Sequence, residues 1–117
     1  MSIPGRLKGD AGGDVYPVAK NTVPSATALV LLDWTNVMYV SGTTTVSTLS
    51  MPSSLRNRRI TLIGAAGAAV QFTNTDTLTT AGQMYLRGSN RLLLEDTVID
   101  LFVKADGTAI LICTTTA

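Results

Sequence analysis

Residues Asp96–Thr114 read DTVIDLFVKADGTAILICT, two short apolar runs on either side of Ala105-Asp106-Gly107. That centre suits a three-residue hairpin loop, a type I turn with glycine in the left-handed position. The loop sets a register in which Lys104 faces Thr108, Phe102 faces Ile110, Asp100 faces Ile112 and Ile99 faces Cys113. Side chains alternate along a strand, so the register sorts them onto two faces. One face carries Ile99, Leu101, Val103, Ala109, Leu111 and Cys113, all apolar. The other carries Val98, Asp100, Phe102, Ile110, Ile112 and Thr114, apolar except at Asp100 and Thr114. The first face can pack on the chain's own core. Left in water at about 25 cal/mol per Å², the second would forfeit free energy comparable with the net stability of a small domain. Other copies of the same chain are the expected cover, meeting at Val98, Asp100, Phe102, Ile110 and Ile112.

The remaining composition is consistent with a chain that associates. At 117 residues it has material for one modest core. Hydrophobic residues make up 45% and charged residues only 15%, which leaves a surface short of solubilising groups. A net charge of +1 and few aromatic residues give no case for nucleic acid, which needs clustered cations and stacking surfaces. Arg56, Arg58 and Arg59 form the one basic run, to be read as a solvated start of a strand or as an anion site. Cys113 is the only cysteine, so no disulfide closes within the chain, and a small buried hydrophobe is its expected role. Arg6 and Lys8 are followed by Gly9 and Asp10 rather than by an apolar run, so no export signal is predicted. The best apolar stretch, 26–40, is interrupted by Asp33 and Asn36 and is too short to span a membrane. Synthesis and residence in a cytoplasm are expected.

Two regions differ in character. Residues 1–24 hold Pro4, Gly5, Gly9, Gly12, Gly13, Pro17 and Pro24, which break every window where a helix or long strand could settle. Ile3, Leu7, Val15, Tyr16 and Val18 give this segment apolar contacts to offer, and Arg6 and Lys8 give it charge. It is read as an extended arm that lies on a partner. Residues 25–117 are read as a single β domain. Threonine is the commonest residue, with many Val and Ile, as suits pleated sheets. Strands are predicted at 28–34, 37–40, 44–49, 59–63, 69–72, 83–87, 92–94, 97–103 and 108–114. Their spacing, with Gly, Asn, Ser or Pro between, is that of an all-β sandwich, prism or helix, and no segment has helical periodicity. Gly64-Ala-Ala-Gly-Ala-Ala69 is either a turn or a close approach of backbones, with the turn preferred.

Catalytic chemistry is sparse. There is no histidine, which removes most triads, general bases and zinc sites. Glu95 and Asp96 are adjacent and would point to opposite faces of a strand, so they form no facing pair. A carboxylate pair would have to be assembled between subunits, from Asp33, Asp76 or Asp100. No catalytic, cofactor-binding or metal-binding residue is predicted. Asp100 is either an edge residue facing water or an interface residue paired with Arg59, Arg87 or Arg91, since an unpaired buried carboxylate is too costly.

Leu49-Ser-Met-Pro52, Arg59-Ile-Thr-Leu62, Leu92-Leu-Leu94, Asp96–Val103 and Gly107-Thr-Ala-Ile-Leu111 together resemble a module of bacteriophage tailspikes and tail fibres. In those proteins similar rungs end trimeric β-prisms or β-helices, with three chains wound about a shared axis. The resemblance covers about residues 44–114 and implies a homotrimer without implying an activity. A chain of this length with an arm and a β body has the size of a capsid decoration (cement) protein. The expectation is therefore a short-stranded sandwich or β-prism that trimerises, on the capsid surface of a virion. Its partners would be itself and the major capsid protein, with no nucleic acid or membrane. A fibre-tip adhesin is the alternative, and only then is a host glycan a partner. Solvent-facing aromatic residues would favour it, the candidates being Trp34, Tyr39 and Tyr85.

Overall fold

The computed structural model describes residues 18–115. Its ten strands are β1 (Thr22–Pro24), β2 (Ala28–Val30), β3 (Val37–Ser41), β4 (Thr48–Ser50), β5 (Arg58–Gly64), β6 (Ala69–Phe72), β7 (Met84–Tyr85), β8 (Arg91–Leu94), β9 (Val98–Val103) and β10 (Ala109–Thr114). Single 3-10 turns at Val18–Asn21 and Ser53–Leu55 are the only helical segments among the described residues. The chain is all-β, and its strands stack in a solenoid-like coil.

The coil is visible in the pairing. Strands β1, β3 and β5 lie side by side in parallel, with Tyr39 between Thr22 and Ile63. On the opposite wall β2 and β4 run parallel, Leu29 against Leu49, and Val46 bridges in parallel to Phe72 at the end of β6. Each turn of chain thus lays one strand on each wall. The C-terminal part then closes the coil in the opposite sense. Strand β9 pairs antiparallel with β5, β10 antiparallel with β9, and β8 antiparallel with β6. The larger sheet has the order β1-β3-β5-β9-β10-β7. Of the arrangements compatible with the strand spacing, the coil is the one formed.

Alternation puts one side chain in two into the space between the walls. Leu29, Met38, Val40, Val46, Ile60, Leu62, Val70, Phe72, Leu93, Ile99, Leu101 and Val103 are buried there. Strands of two to seven residues are too short to be stable alone. Stacked rungs bury one another's apolar side chains, which is how repeated units gain stability.

All nine strands predicted from the sequence form, several shorter than expected. The segment 28–34 stops at Val30, because Asp33 to Asn36 make the corner into β3. Thr22–Pro24, at the end of the segment read as an arm, pair with β3. Pro24 is tolerated because β1 is an edge strand and needs no second ladder. Residues 65–68 form the expected turn, closed by Ala68 N–H donating to Ala65 O at 3.0 Å. Gly64 itself is a close approach of backbones.

Side-chain amides organise the loop from Phe72 to Arg91. Asn74 Oδ1 accepts from Leu86 N–H at 2.7 Å, and Gln83 Oε1 accepts from Thr79 and Thr80 N–H at 2.7 and 3.0 Å. Such local bonds replace the ladder where the backbone leaves it.

The β9–β10 loop has the geometry expected. Lys104 N–H donates to Thr108 O at 2.8 Å, Gly107 N–H donates to Lys104 O at 3.0 Å, and Gly107 has φ 85°. Asp106 accepts from the Thr108 hydroxyl at 2.6 Å and from its amide at 3.0 Å. The hydroxyl first and the amide second hold the Asp106 carboxyl below the ordinary carboxylate range, with Lys104 adding a smaller pull in the same direction. A depressed pKa means that this contribution is present above the unfolded-state value and is lost as pH falls through the folded one. In an NMR titration, the Thr108 amide shift should move with a midpoint below that of a free aspartate. Thr108→Val should raise that midpoint.

Candidate interaction surface

The outward side of the larger sheet can be read row by row from the register, because paired residues share a face. One row is Tyr39, Ile63 and Val98. The next is Val37, Thr61, Asp100 and Cys113. The third is Arg59, Phe102, Ile110 and Tyr85. Two largely apolar rows therefore flank a row with a polar centre. Phe102 is 37% exposed and Ile112 40% exposed, while Val98, Ile110, Tyr39, Ile63 and Tyr85 are partly buried.

The hairpin register agrees with expectation as far as Leu111, with Val103 opposite Ala109, Phe102 opposite Ile110 and Leu101 opposite Leu111. Beyond it a β-bulge shifts the pairing by one residue. Asp100 faces Cys113 instead of Ile112, and Ile99 faces Thr114 instead of Cys113. An extra residue on one strand breaks the alternation locally. Ile112 and Cys113 both become exposed, so the expected burial of Cys113 is overturned. The thiol lies on the outward side with Asp100.

Asp100 is the hub of this face. Its carboxylate accepts from Thr61 Oγ1 at 2.6 Å and from Arg59 Nη2 at 3.0 Å, and Cys113 Sγ lies 3.7 Å away. The Asp100 side chain is 16% exposed. Among the three arginines weighed as partners, Arg59 makes the pair. Arg87 and Arg91 instead donate their Nε–H groups to the carbonyls of Leu111 and Leu86. The Arg59 side chain is largely in water, so the ion pair contributes at most about 1 kcal/mol and the short Thr61 bond matters as much. Within the basic run, Arg56 donates to Ala105 O at 3.2 Å and Arg58 is exposed.

Of the five residues expected to form the contact, Val98, Asp100, Phe102 and Ile110 belong to one outward surface, while Ile112 is the unpaired, exposed residue of the bulge beside it. Tyr39, Ile63, Val37 and Tyr85 extend it and were not legible as its members. Only the register of β3, β5 and β7 against the hairpin brings them there. Of the arm residues, Ile3, Arg6, Leu7, Lys8, Val15 and Tyr16 lie outside the described residues, and Val18 opens the first 3-10 turn.

Trp34 is half exposed at the corner between β2 and β3, where Asp33 and Trp34 line two neighbouring clefts. No group of three or more His, Cys, Asp or Glu among the described residues could hold a metal ion. No helix among them is long and apolar enough to cross a membrane. Comparison with protein-family models, with curated proteins and with solved structures finds no match for this chain.

Proposed function

We propose that the protein is a non-enzymatic structural component of a bacteriophage particle, a homotrimeric capsid decoration protein that staples neighbouring capsid subunits. The observation that carries this reading is the outward face of the larger sheet, apolar along two rows and only partly buried in the single chain. Three copies turning this face towards a common axis would remove Phe102, Ile110 and Ile112 from water. Each is already more than half buried in the single chain, so covering what remains contributes at most about 1–2 kcal/mol per side chain. The Arg59–Asp100–Thr61 cluster would then act as a register mark, since a polar group in an apolar contact tolerates one alignment and penalises others. The short stacked rungs and the resemblance of residues 44–114 to tailspike and fibre modules support the same reading.

In this account residues 1–17 supply the attachment. Ordering a chain rich in proline and glycine costs about 1–2 kcal/mol per residue in backbone entropy. Contacts of Ile3, Leu7, Val15 and Tyr16 with the major capsid protein offset that cost, with Arg6 and Lys8 meeting acidic groups. Three arms act together through effective concentration. Deleting residues 2–17 leaves the first 3-10 turn and β1 intact, and should yield a folded oligomer that no longer decorates capsids lacking the native protein. Wild-type occupancy by the truncated form contradicts the reading. Gold-labelled antibody on intact particles gives the location: label over the shell supports a decoration protein, and label at the tail tip transfers the chain to the fibre-tip adhesins.

A further inference from the structure

We propose that the end of β10 is a register switch: residues 112–115 pair with β9 in two ways, with the Cys113 thiol facing water in one and the core in the other. The structure shows the bulged register. Ile112 is the extra residue, Cys113 stands opposite Asp100, and Thr114 stands opposite Ile99. Without the bulge Ile112 takes the place opposite Asp100, Cys113 that opposite Ile99, and Thr114 that opposite Val98. One residue of slip exchanges the two faces, because side chains alternate along a strand.

Burial favours the register without the bulge. Ile99 is fully buried, so the residue opposite it points inward. The bulge gives that place to Thr114 and leaves both Ile112 and Cys113 exposed. Removing the bulge turns Cys113 inward and the Thr114 hydroxyl outward, and a free cysteine behaves as a small core hydrophobe.

Side-chain hydrogen bonds favour the bulge. Val98 N–H donates to Thr115 Oγ1 at 2.7 Å, and the Thr114 hydroxyl donates to Val98 O at 3.2 Å. Thr115 N–H donates to the same carbonyl at 2.9 Å. The Thr115 hydroxyl thus takes an amide that a regular ladder gives to a backbone carbonyl. Burial of one small side chain and a few such bonds contribute similar amounts in opposite directions. Two states of comparable free energy follow.

The switch has a fixed boundary. Strand β7 holds β10 at Ala109 and Ile110, and Arg87 Nε–H donates to Leu111 O at 3.2 Å. Leu111 is buried opposite Leu101, so the exchange is confined to the residues after it. Its consequence lies on the outward face. The register without the bulge adds Ile112 to the row of Val37, Thr61 and Asp100 and withdraws the thiol from it. A contact covering this face selects that register, a coupling that rests on the assembly proposed above. A bulky group attached to the Cys113 sulfur selects the bulge.

The test follows reaction of the full chain with a small maleimide, in a Phe102→Asp background so that no contact between copies shields the thiol. Cys113 is the only cysteine, so all label reports on it. Thr115→Val removes the hydroxyl that holds the Val98 amide, and should slow labelling about fivefold, the effect of one hydrogen bond on a two-state population. A strand end that merely frays responds the other way, since a lost bond exposes the thiol further. Circular dichroism shows that the variant is folded. Relaxation-dispersion NMR of the parent needs no further substitution: exchange is expected at residues 112–115 and 98–100, and none at 109–111. Labelling of folded Thr115→Val at the parent rate or faster overturns the switch, as do flat dispersion profiles at residues 112–115. Light scattering of the unsubstituted chain is read separately, and a monomer there refutes the assembly while leaving the switch in place.

Discussion

Gly64→Ala is expected to remove several kcal/mol of stability and to leave little or no cooperative unfolding transition in urea. Gly64 ends β5, where the larger sheet meets the other wall. Its N–H donates to Thr97 O at 3.0 Å and its carbonyl accepts from Asp96 N–H at 3.0 Å. A Cβ placed on Gly64 would fall on the Leu94 carbonyl group. The obstacle is backbone, so no rotamer change relieves it, and relief means pulling β5 away from the 94–97 turn. Both hydrogen bonds would go, and the join between β5 and the 94–97 turn with them. A small domain is stabilised by only about 5–15 kcal/mol, so the expected loss is a large share. Gly67→Ala is the control. There a Cβ meets nothing within 4 Å, but φ is +75°, so the expected cost is only the left-handed penalty of about 1–2 kcal/mol.

The second large effect concerns assembly. If the chain trimerises as proposed, Phe102→Asp and Ile112→Asp should each leave a folded monomer at micromolar concentration. Both side chains point away from the core, so the coil does not depend on them. Asp at position 102 would stand beside Arg59, which shares its row and can accommodate the charge in a single chain. In an apolar contact between copies the same carboxylate is costly. In the proposed trimer each copy contributes the face, so one substitution is repeated in every subunit. A loss of about 1.4 kcal/mol per contact is tenfold in affinity, and the expected loss exceeds that several times. Lys104→Ala, in the turn, should leave assembly unchanged. Size-exclusion chromatography with circular dichroism separates loss of assembly from loss of fold.

Much of the fold was legible in the sequence, for a simple reason. The strand Arg58–Gly64 sets Ile60 and Leu62 against Arg59 and Thr61, with Asn57 before it and Gly64 at its end. The Ala105-Asp106-Gly107 loop was legible because only glycine sits easily at the φ it requires. The bulge in β10 was not. Ile112 and Cys113 are both apolar, so either alternation satisfies the pattern equally well, and register is weakly specified where both faces look alike. The parallel coil was also hidden. Its corners at Asp33–Asn36 and Ala65–Ala68 have the composition and spacing of hairpin turns, and nothing local says that the next strand stacks in parallel. The Val98–Ile112 part of the candidate surface followed from one hairpin. Tyr39, Ile63 and Tyr85 joined it through pairings across distant strands.

The account stands or falls on whether the outward sheet face is covered by copies of the same chain. Multi-angle light scattering of the 117-residue chain at micromolar concentration measures this directly. The prediction is a mass three times the 12.3 kDa chain, unchanged on tenfold dilution. A stable, soluble monomer over that range would contradict it.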